Sequence, residues 1–263
     1  MKKNAIEWEE RRLRGIGHIR DYPWFKERHR VFPALFEDRQ HKKIIDLSAG
    51  VGCAAARIRE YYPADLVCND ISPTCLKILG EQGIRTVSFD IDDQEKPFPF
   101  PDNNFDTVIS LVTIEHLIHP EHFLKEVHRI LMNEGYFYIA TPNYAAPEYA
   151  LKLLLSGRTF HDPMFSEESR YEFYSHVRYY TYKTLLDFVR SFGFAPDSVY
   201  LAIPEGSARY RALQSKSRFK AFMYRNIMRM KHRLLAPRFA SEPILCFQKK
   251  QVQGRPKIRK VVL

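Results

Sequence analysis

Three carboxylates punctuate the first third of the chain: Asp46 in KIIDLSAGVG, Asp70 in LVCNDISP and Asp90 in VSFDIDD. The first precedes Gly50-Val51-Gly52, and Ala55 completes a G-x-G-x-x-A spacing, the loose form of a dinucleotide fingerprint. A dinucleotide loop runs directly from an apolar strand into its glycines, whereas here Asp46-Leu47-Ser48-Ala49 intervene. An acid at that point suits a ligand with a positive ammonium group. Asp70, 18 residues after Gly52, can take both hydroxyls of a ribose. Asp90 can accept from an adenine amino group. The ligand these acids describe has an ammonium, a ribose and an adenine but no pyrophosphate, which argues against NAD.

For the three acids to converge, each must end a strand of one sheet. The pattern predicts this. Apolar runs at 43–47, 65–69, 85–89, 105–111 and 136–140 read as strands, and helical patterns fill 53–62, 73–82, 120–131 and 181–191. Ser72-Pro73 and Pro120 supply helix-start signals. Strand–helix alternation predicts a parallel sheet with helices on both faces, and such sheets bind ligands at their carboxyl ends. Upstream, 4–14 and 24–40 look helical. Beyond Gly193, 194–204 and 242–250 read as a last pair of strands, suited to an antiparallel edge.

With these elements in place, the sequence resembles the class I S-adenosylmethionine-dependent methyltransferases of the small-molecule branch, of the ubiquinone-pathway and glycan-modifying type. The resemblance is carried by Asp46 to Gly52, Asp70, Asp90-Ile91, the block FDTVISLVTIEHLIHPEHFLKEVHRILMNEGYFYIATPN at 105–143 and the stretch HVRYYTYKTLLDFVRSFGF at 176–194. It implies an α/β, doubly wound, mostly parallel seven-stranded sheet with an antiparallel C-terminal strand, a Rossmann-like methyltransferase fold with helical N-terminal and lid insertions. It implies S-adenosylmethionine as cofactor and S-adenosylhomocysteine as product, held by Asp46, Ser48, Ala49, Gly50, Gly52, Asp70, Ile71, Asp90, Ile91 and Leu111. Ser48 and Ala49 depart from the family's loop, whose first glycine would stand at 48, so the backbone freedom needed there is less freely met.

An oxygen acceptor must lose a proton, and histidine, with an ordinary pKa near ~6.5, suits a general base. His116 follows the fourth strand and His176 opens the HVRYYT stretch. Both are candidate catalytic residues, each with an alternative reading as a packing residue. No metal is called for. Residues 141–182 hold ten Phe and Tyr in 42 positions, against 14% for the chain. An aromatic lid of this kind suits a ring or sugar acceptor, contacted by Tyr144, His161, Arg178 and Tyr179, or else simply packs on the sheet. His41, His119, His122 and His128 read as solvated.

The organisation expected is an N-terminal helical cap at 1–40, a core at 41–204 plus 241–250 with the lid insert at 141–180, a basic amphipathic insert at 205–240 and a basic, solvated tail at 251–263. Net charge is +10, and residues 205–263 carry 16 Lys and Arg against Glu205 and Glu242 alone. Within 209–235, Phe219, Met223, Ile227, Met230 and Leu234 share one helix face. Such a helix can pack on its own domain, lie on an anionic membrane or contact nucleic acid. No zinc-ligand set or RNA-binding signature supports nucleic acid. Four cysteines without a C-x-x-C pair read as reduced core thiols. No signal peptide is expected, and the location expected is cytoplasmic, with peripheral contact at the inner membrane face as an option. The function expected is O-methylation of a small-molecule, glycan or lipid-linked acceptor. RNA methylation and a non-catalytic S-adenosylmethionine-binding module are the alternatives. Oligomeric state is not legible.

Overall fold

The computed structural model describes residues 2–22, 25, 31–159, 164–203, 207–250 and 257–263. The chain alternates strand and helix through its first half: β1 (Lys43–Leu47), α2 (Cys53–Tyr61), β2 (Asp65–Asn69), α3 (Pro73–Glu81), β3 (Arg85–Val87), β4 (Phe105–Leu111), α4 (Pro120–Ile130) and β5 (Leu131–Ala140), preceded by α1 (Lys2–Arg12). Neighbouring residues of the central strands point to opposite faces. Ile45, Val108, Phe137 and Leu245 pack in one core layer, while Ile44, Ile109, Tyr138 and Cys246 pack in the other. Both faces are therefore apolar and both must be covered, which is the physical basis of the double winding.

The second half supplies α5 (Pro147–Ser156) and α6 (Glu167–Ser175) of the lid, then α7 (Tyr182–Arg190), β6 (Phe194–Leu201), α8 (Ala208–Lys216), α9 (Arg218–Leu234), β7 (Ile244–Lys249) and β8 (Arg259–Val262). The sheet order is β3-β2-β1-β4-β5-β7-β6-β8. It has eight strands rather than the seven expected. β7 is antiparallel to both β5 and β6, and β8 runs parallel to β6. The reversed strand is thus internal and the edge is parallel. The chain order reverses between β1 and β4, so the carboxyl ends of these strands border a crevice at Leu47 and Leu111.

Several expectations are corrected. Residues 259–262, read as solvated tail, are held as a strand, with Leu263 N–H donating to Leu201 O at 2.9 Å and Ile203 N–H to Leu263 O at 2.6 Å. The helix expected over 24–40 is, within the described residues 31–40, only a 3-10 turn at Ala34–Phe36. The single helix expected over 209–235 breaks at Ser217, whose extended backbone ends α8 and whose hydroxyl accepts from Lys220 N–H to cap α9. His41, read as solvated, is buried among Phe36, Tyr136 and Tyr138, with Nε2 2.9 Å from the Tyr138 hydroxyl. All four cysteines are buried.

Candidate functional site

The loop after β1 wraps a buried acid. Asp46 is the penultimate residue of the strand, with its carboxylate buried, and Asp70, just past the end of β2, lies close enough to repel it. Residues 48, 50 and 52 all have positive φ (60°, 58° and 85°). The loop therefore needs a left-handed residue at every second position, and serine fills the first where glycine would be unstrained. Gly52 has a second requirement: a Cβ there would meet Leu79 Cδ2 at 2.5 Å, because α2 and α3 approach closely at the loop. Gly50 has no such neighbour and opens on free space. Ala49 N–H donates to Asn69 O at 2.9 Å, and Gly50 N–H to Asp70 Oδ2 at 2.8 Å, so the second strand shapes the first loop.

The electrostatics fit a cationic ligand. Burial, with Asp70 adding repulsion, pushes the Asp46 carboxyl up to about 8 from its ordinary 3.8. Burial also raises Asp70, although it accepts from Gly50 and Ser72 N–H. A positive group placed here would relieve both. Ile71 is half-buried beside Asp70. Asp90 is partly buried and accepts from Asp92 N–H at 2.8 Å. Ile91 and Leu111 are buried, Leu111 at the carboxyl end of β4. Asp92, which sequence reading passed over, carries the structural task in this loop: its carboxylate accepts from Ile118 and His119 N–H and fixes the entry to α4.

The two candidate histidines meet. The chain turns after β4 through a short 3-10 segment, Ile114–His116, which presents His116 to solvent and turns Glu115 inward. His176 comes from the end of the lid, 60 residues on, and its ring stacks on His116 with centroids 4.6 Å apart and planes at 28°. His116 Nδ1 lies 3.0 Å from Ser175 O. A carbonyl can only accept, so Nδ1 carries a proton, and in the neutral ring Nε2 is then the lone-pair nitrogen. Glu115 accepts from the Thr141 hydroxyl at 2.8 Å. Glu115, His116 and His176 each offer one ligand atom, all within 4.8 Å of one another, so this trio could hold a divalent cation.

The aromatic lid is built on these same anchors. Tyr144 packs edge-on against Tyr179 with centroids 4.7 Å apart, and against Tyr149 at 5.4 Å. The Arg178 guanidinium, expected to meet the acceptor, donates to the carbonyls of Leu117 and Ile118, and the backbone N–H of the same residue donates to Glu115 O at 3.2 Å. It ties the lid to the segment carrying His116. His161 lies outside the described residues.

Two residues were missed in the sequence. Buried Asn143 donates to Arg238 O and Ala240 O and accepts from Tyr182 N–H, so it locks the start of the lid, the end of the lid and the return from α9 together. The TPN sequence that follows β5 was the available signal. Glu10 of α1 accepts from the hydroxyls of Ser72 and Thr74, next to Asp70, while Trp8 stacks on Tyr171 of α6 at 4.9 Å. The N-terminal helix therefore spans from the start of α3, beside Asp70, to α6.

A family described as a methyltransferase domain matches residues 16–199. Ajmaline N-methyltransferase of Rauvolfia serpentina is 36% identical over 107 residues, 37% of this chain and 36% of that protein. Fatty-acid O-methyltransferase of Mycolicibacterium smegmatis is 30% identical over 119 residues, 43% of this chain and 42% of that protein. These matches span less than half of either relative's length. Among solved structures, the fold resembles phosphoethanolamine N-methyltransferase 2 of Haemonchus contortus, seen with phosphomonomethylethanolamine and S-adenosylhomocysteine, at a TM-score of 0.61 and 14% identity over 94% of this chain and 60% of that one. At that identity the likeness is one of fold.

Proposed function

Because the chain belongs to the methyltransferase-domain family, we propose that it transfers a methyl group from S-adenosylmethionine to the oxygen of a small-molecule acceptor. The observation that carries this reading is the buried Asp46, destabilised as a carboxylate beside Asp70 at the mouth of a left-handed glycine loop. That arrangement fits a nucleoside bearing a positive ammonium. Gly50 leaves the space such a ligand needs, and Asp70 offers its carboxylate to the ribose. Bound S-adenosylmethionine supplies a methyl already activated on a sulfonium.

What remains for the chain is positioning and one proton. The lid aromatics Tyr144 and Tyr179 orient the acceptor and exclude water. His116 Nε2 takes the acceptor's O–H proton as that oxygen takes the methyl group that bound S-adenosylmethionine would supply, S-adenosylhomocysteine being the neutral product released. Ser175 O, through Nδ1–H, holds the imidazole in the tautomer that can do this. His176, stacked on the same ring, fixes its plane.

The test has two arms. Calorimetry with S-adenosylhomocysteine and NAD should show binding of the first only, and Asp70→Ala should weaken it; tight NAD binding would overturn the reading. A transfer screen with labelled S-adenosylmethionine over phenols, fatty acids, glycans, amines and tRNA identifies the acceptor class, and methyl transfer to amines or tRNA alone would overturn the oxygen assignment. A second reading, that Glu115, His116 and His176 hold a cation, is favoured by their spacing. Loss of activity on chelation, restored by a divalent metal, would support it.

A further inference from the structure

α9 is amphipathic, but it is mounted the wrong way round for a helix that packs through its apolar stripe. At 3.6 residues per turn, Ala221 and His232 lie on one line along the helix, and Phe219, Met223, Met230 and Leu234 lie on the opposite side. The buried side is the small and polar one: only Ala221 and His232 are buried in this helix. The apolar stripe faces solvent, with Phe219 71% and Leu234 75% exposed and Met223, Ile227 and Met230 exposed between them. The mounting itself is well defined. Lys260 of β8 donates to Arg233 O and Leu235 O at the helix end. Arg209 of α8 lies over the Tyr224 ring at 5.1 Å.

The charges around the stripe select the occupant. From Ser207 to Ser241 the chain holds ten Lys and Arg and no Asp or Glu. Lys220 and Lys231 flank the stripe on one side, and Arg229 and Arg233 on the other. A second copy of the chain would bring the same charges against these and be repelled. A nucleic acid would meet the charges but leave the stripe in water. An anionic bilayer satisfies both, because the stripe enters the headgroup boundary while Lys and Arg reach sideways to the lipid phosphates.

We infer that α9 is a docking helix that lies in the plane of an anionic lipid surface with Phe219, Met223, Ile227, Met230 and Leu234 inserted. No helix among the described residues is long and apolar enough to cross a membrane. The helix returns to the core through carbonyls 238 and 240, both held by Asn143, one residue before Tyr144. α5 starts at Pro147, close beyond the same junction, and also turns Leu154 and Leu155 to solvent. The docking element is thereby joined to the acceptor end of the site. The inference concerns surface binding alone and stands apart from the methyl-transfer reading.

Flotation of the full chain with vesicles tests it. Protein should float with phosphatidylcholine–phosphatidylglycerol vesicles and not with phosphatidylcholine alone, and high salt should reduce the floated fraction about tenfold. The combined change Met223→Ser, Ile227→Ser, Met230→Ser should abolish flotation while leaving the melting temperature unchanged, since these side chains are already exposed. Phe219→Trp should give a blue-shifted emission on anionic vesicles only. Equal recovery with both vesicle types overturns the inference, as does flotation that survives the serine changes. A dimer in solution that the same serine changes dissociate assigns the stripe to self-association instead. Tight tRNA retention on a filter, unaffected by the serine changes and without flotation, assigns the charge to nucleic acid.

Discussion

Replacing Asp46 with asparagine separates the two roles of a buried acid, one adverse to the fold and one favourable to the ligand. The folded-state value of about 8 lies above the ordinary 3.8, so burial and Asp70 disfavour the carboxylate. The sign follows from proton counting: between these values the folded chain binds the proton that the unfolded chain releases, and stability falls as pH rises through that window. At 1.36 kcal/mol per unit, the penalty at pH 7 reaches about 4 kcal/mol. Asp46→Asn, which cannot ionise, should therefore raise the melting temperature of the ligand-free protein at neutral pH, with the advantage vanishing near pH 4. Ligand binding should run the other way. An ammonium beside Asp46 restores the carboxylate, so binding expels a proton. Between about pH 5.5 and 7 an α-amino group keeps its charge, and the affinity of wild type for S-adenosylhomocysteine should tighten by up to about tenfold per pH unit. Calorimetry in two buffers of different ionisation enthalpy counts the proton directly. A flat affinity across that range, or an Asp46→Asn variant that binds like wild type, would refute the assignment of Asp46 to a cation.

Gly52→Ala should destabilise by about 2 kcal/mol in urea denaturation, because its Cβ meets Leu79 Cδ2 at 2.5 Å, while Gly50→Ala, with open space around it, should show only left-handed backbone strain of about 1 kcal/mol. His116→Gln should lower turnover by about 10²–10⁴-fold with S-adenosylhomocysteine affinity unchanged; a near-normal rate would leave positioning alone as the mechanism. Burial, the largest influence on His41, lowers its pKa to about 4 from 6.5. The unfolded chain therefore takes up a proton that the folded chain refuses, and stability should fall by up to about 3 kcal/mol as pH drops from 6.5 to 4. His41→Gln should flatten that fall in thermal melts.

What was legible in the sequence follows local rules. Strand–helix alternation and Ser72 and Pro120 at helix starts are short-range signals, and each was realised; of the acids expected at strand ends, Asp46 and Asp70 lie within a residue of one, while β3 stops at Val87, three residues before Asp90. Pairing is long-range. Nothing in RKVV at 259–262 announces that β6 offers it an open edge, and nothing in ILCFQK announces that the antiparallel strand expected there lies inside the sheet, between β5 and β6. His41 sits between Gln40 and Lys42 and reads as surface; the rings that enclose it come from Phe36, Tyr136 and Tyr138. Ser48 shows that the loop's signature is a run of left-handed positions rather than of glycines. Periodicity revealed that α9 has an apolar face, but only the structure shows that face turned outward. The stacking of His116 on His176 was out of reach because it joins a core turn to the far end of the lid.

Besides its contacts with α1, the insert after β5 has a fastening at each end. Asn143 fixes where it leaves the core, and Arg178, bound to the carbonyls of Leu117 and Ile118, fixes where it returns. Both use backbone acceptors, which persist whatever side chains surround them. In evolutionary terms the stretch between them is a cassette: its length and residues can drift, or be exchanged wholesale, without disturbing the sheet or the glycine loop. The return point is held twice, since His176 stacks on His116 and Arg178 binds the carbonyls beside it. On the proposed function, a grafted insert that preserves Asn143, His176 and Arg178 would carry its acceptor preference with it, so new specificity would arise by recombination of one segment rather than by gradual change across the core.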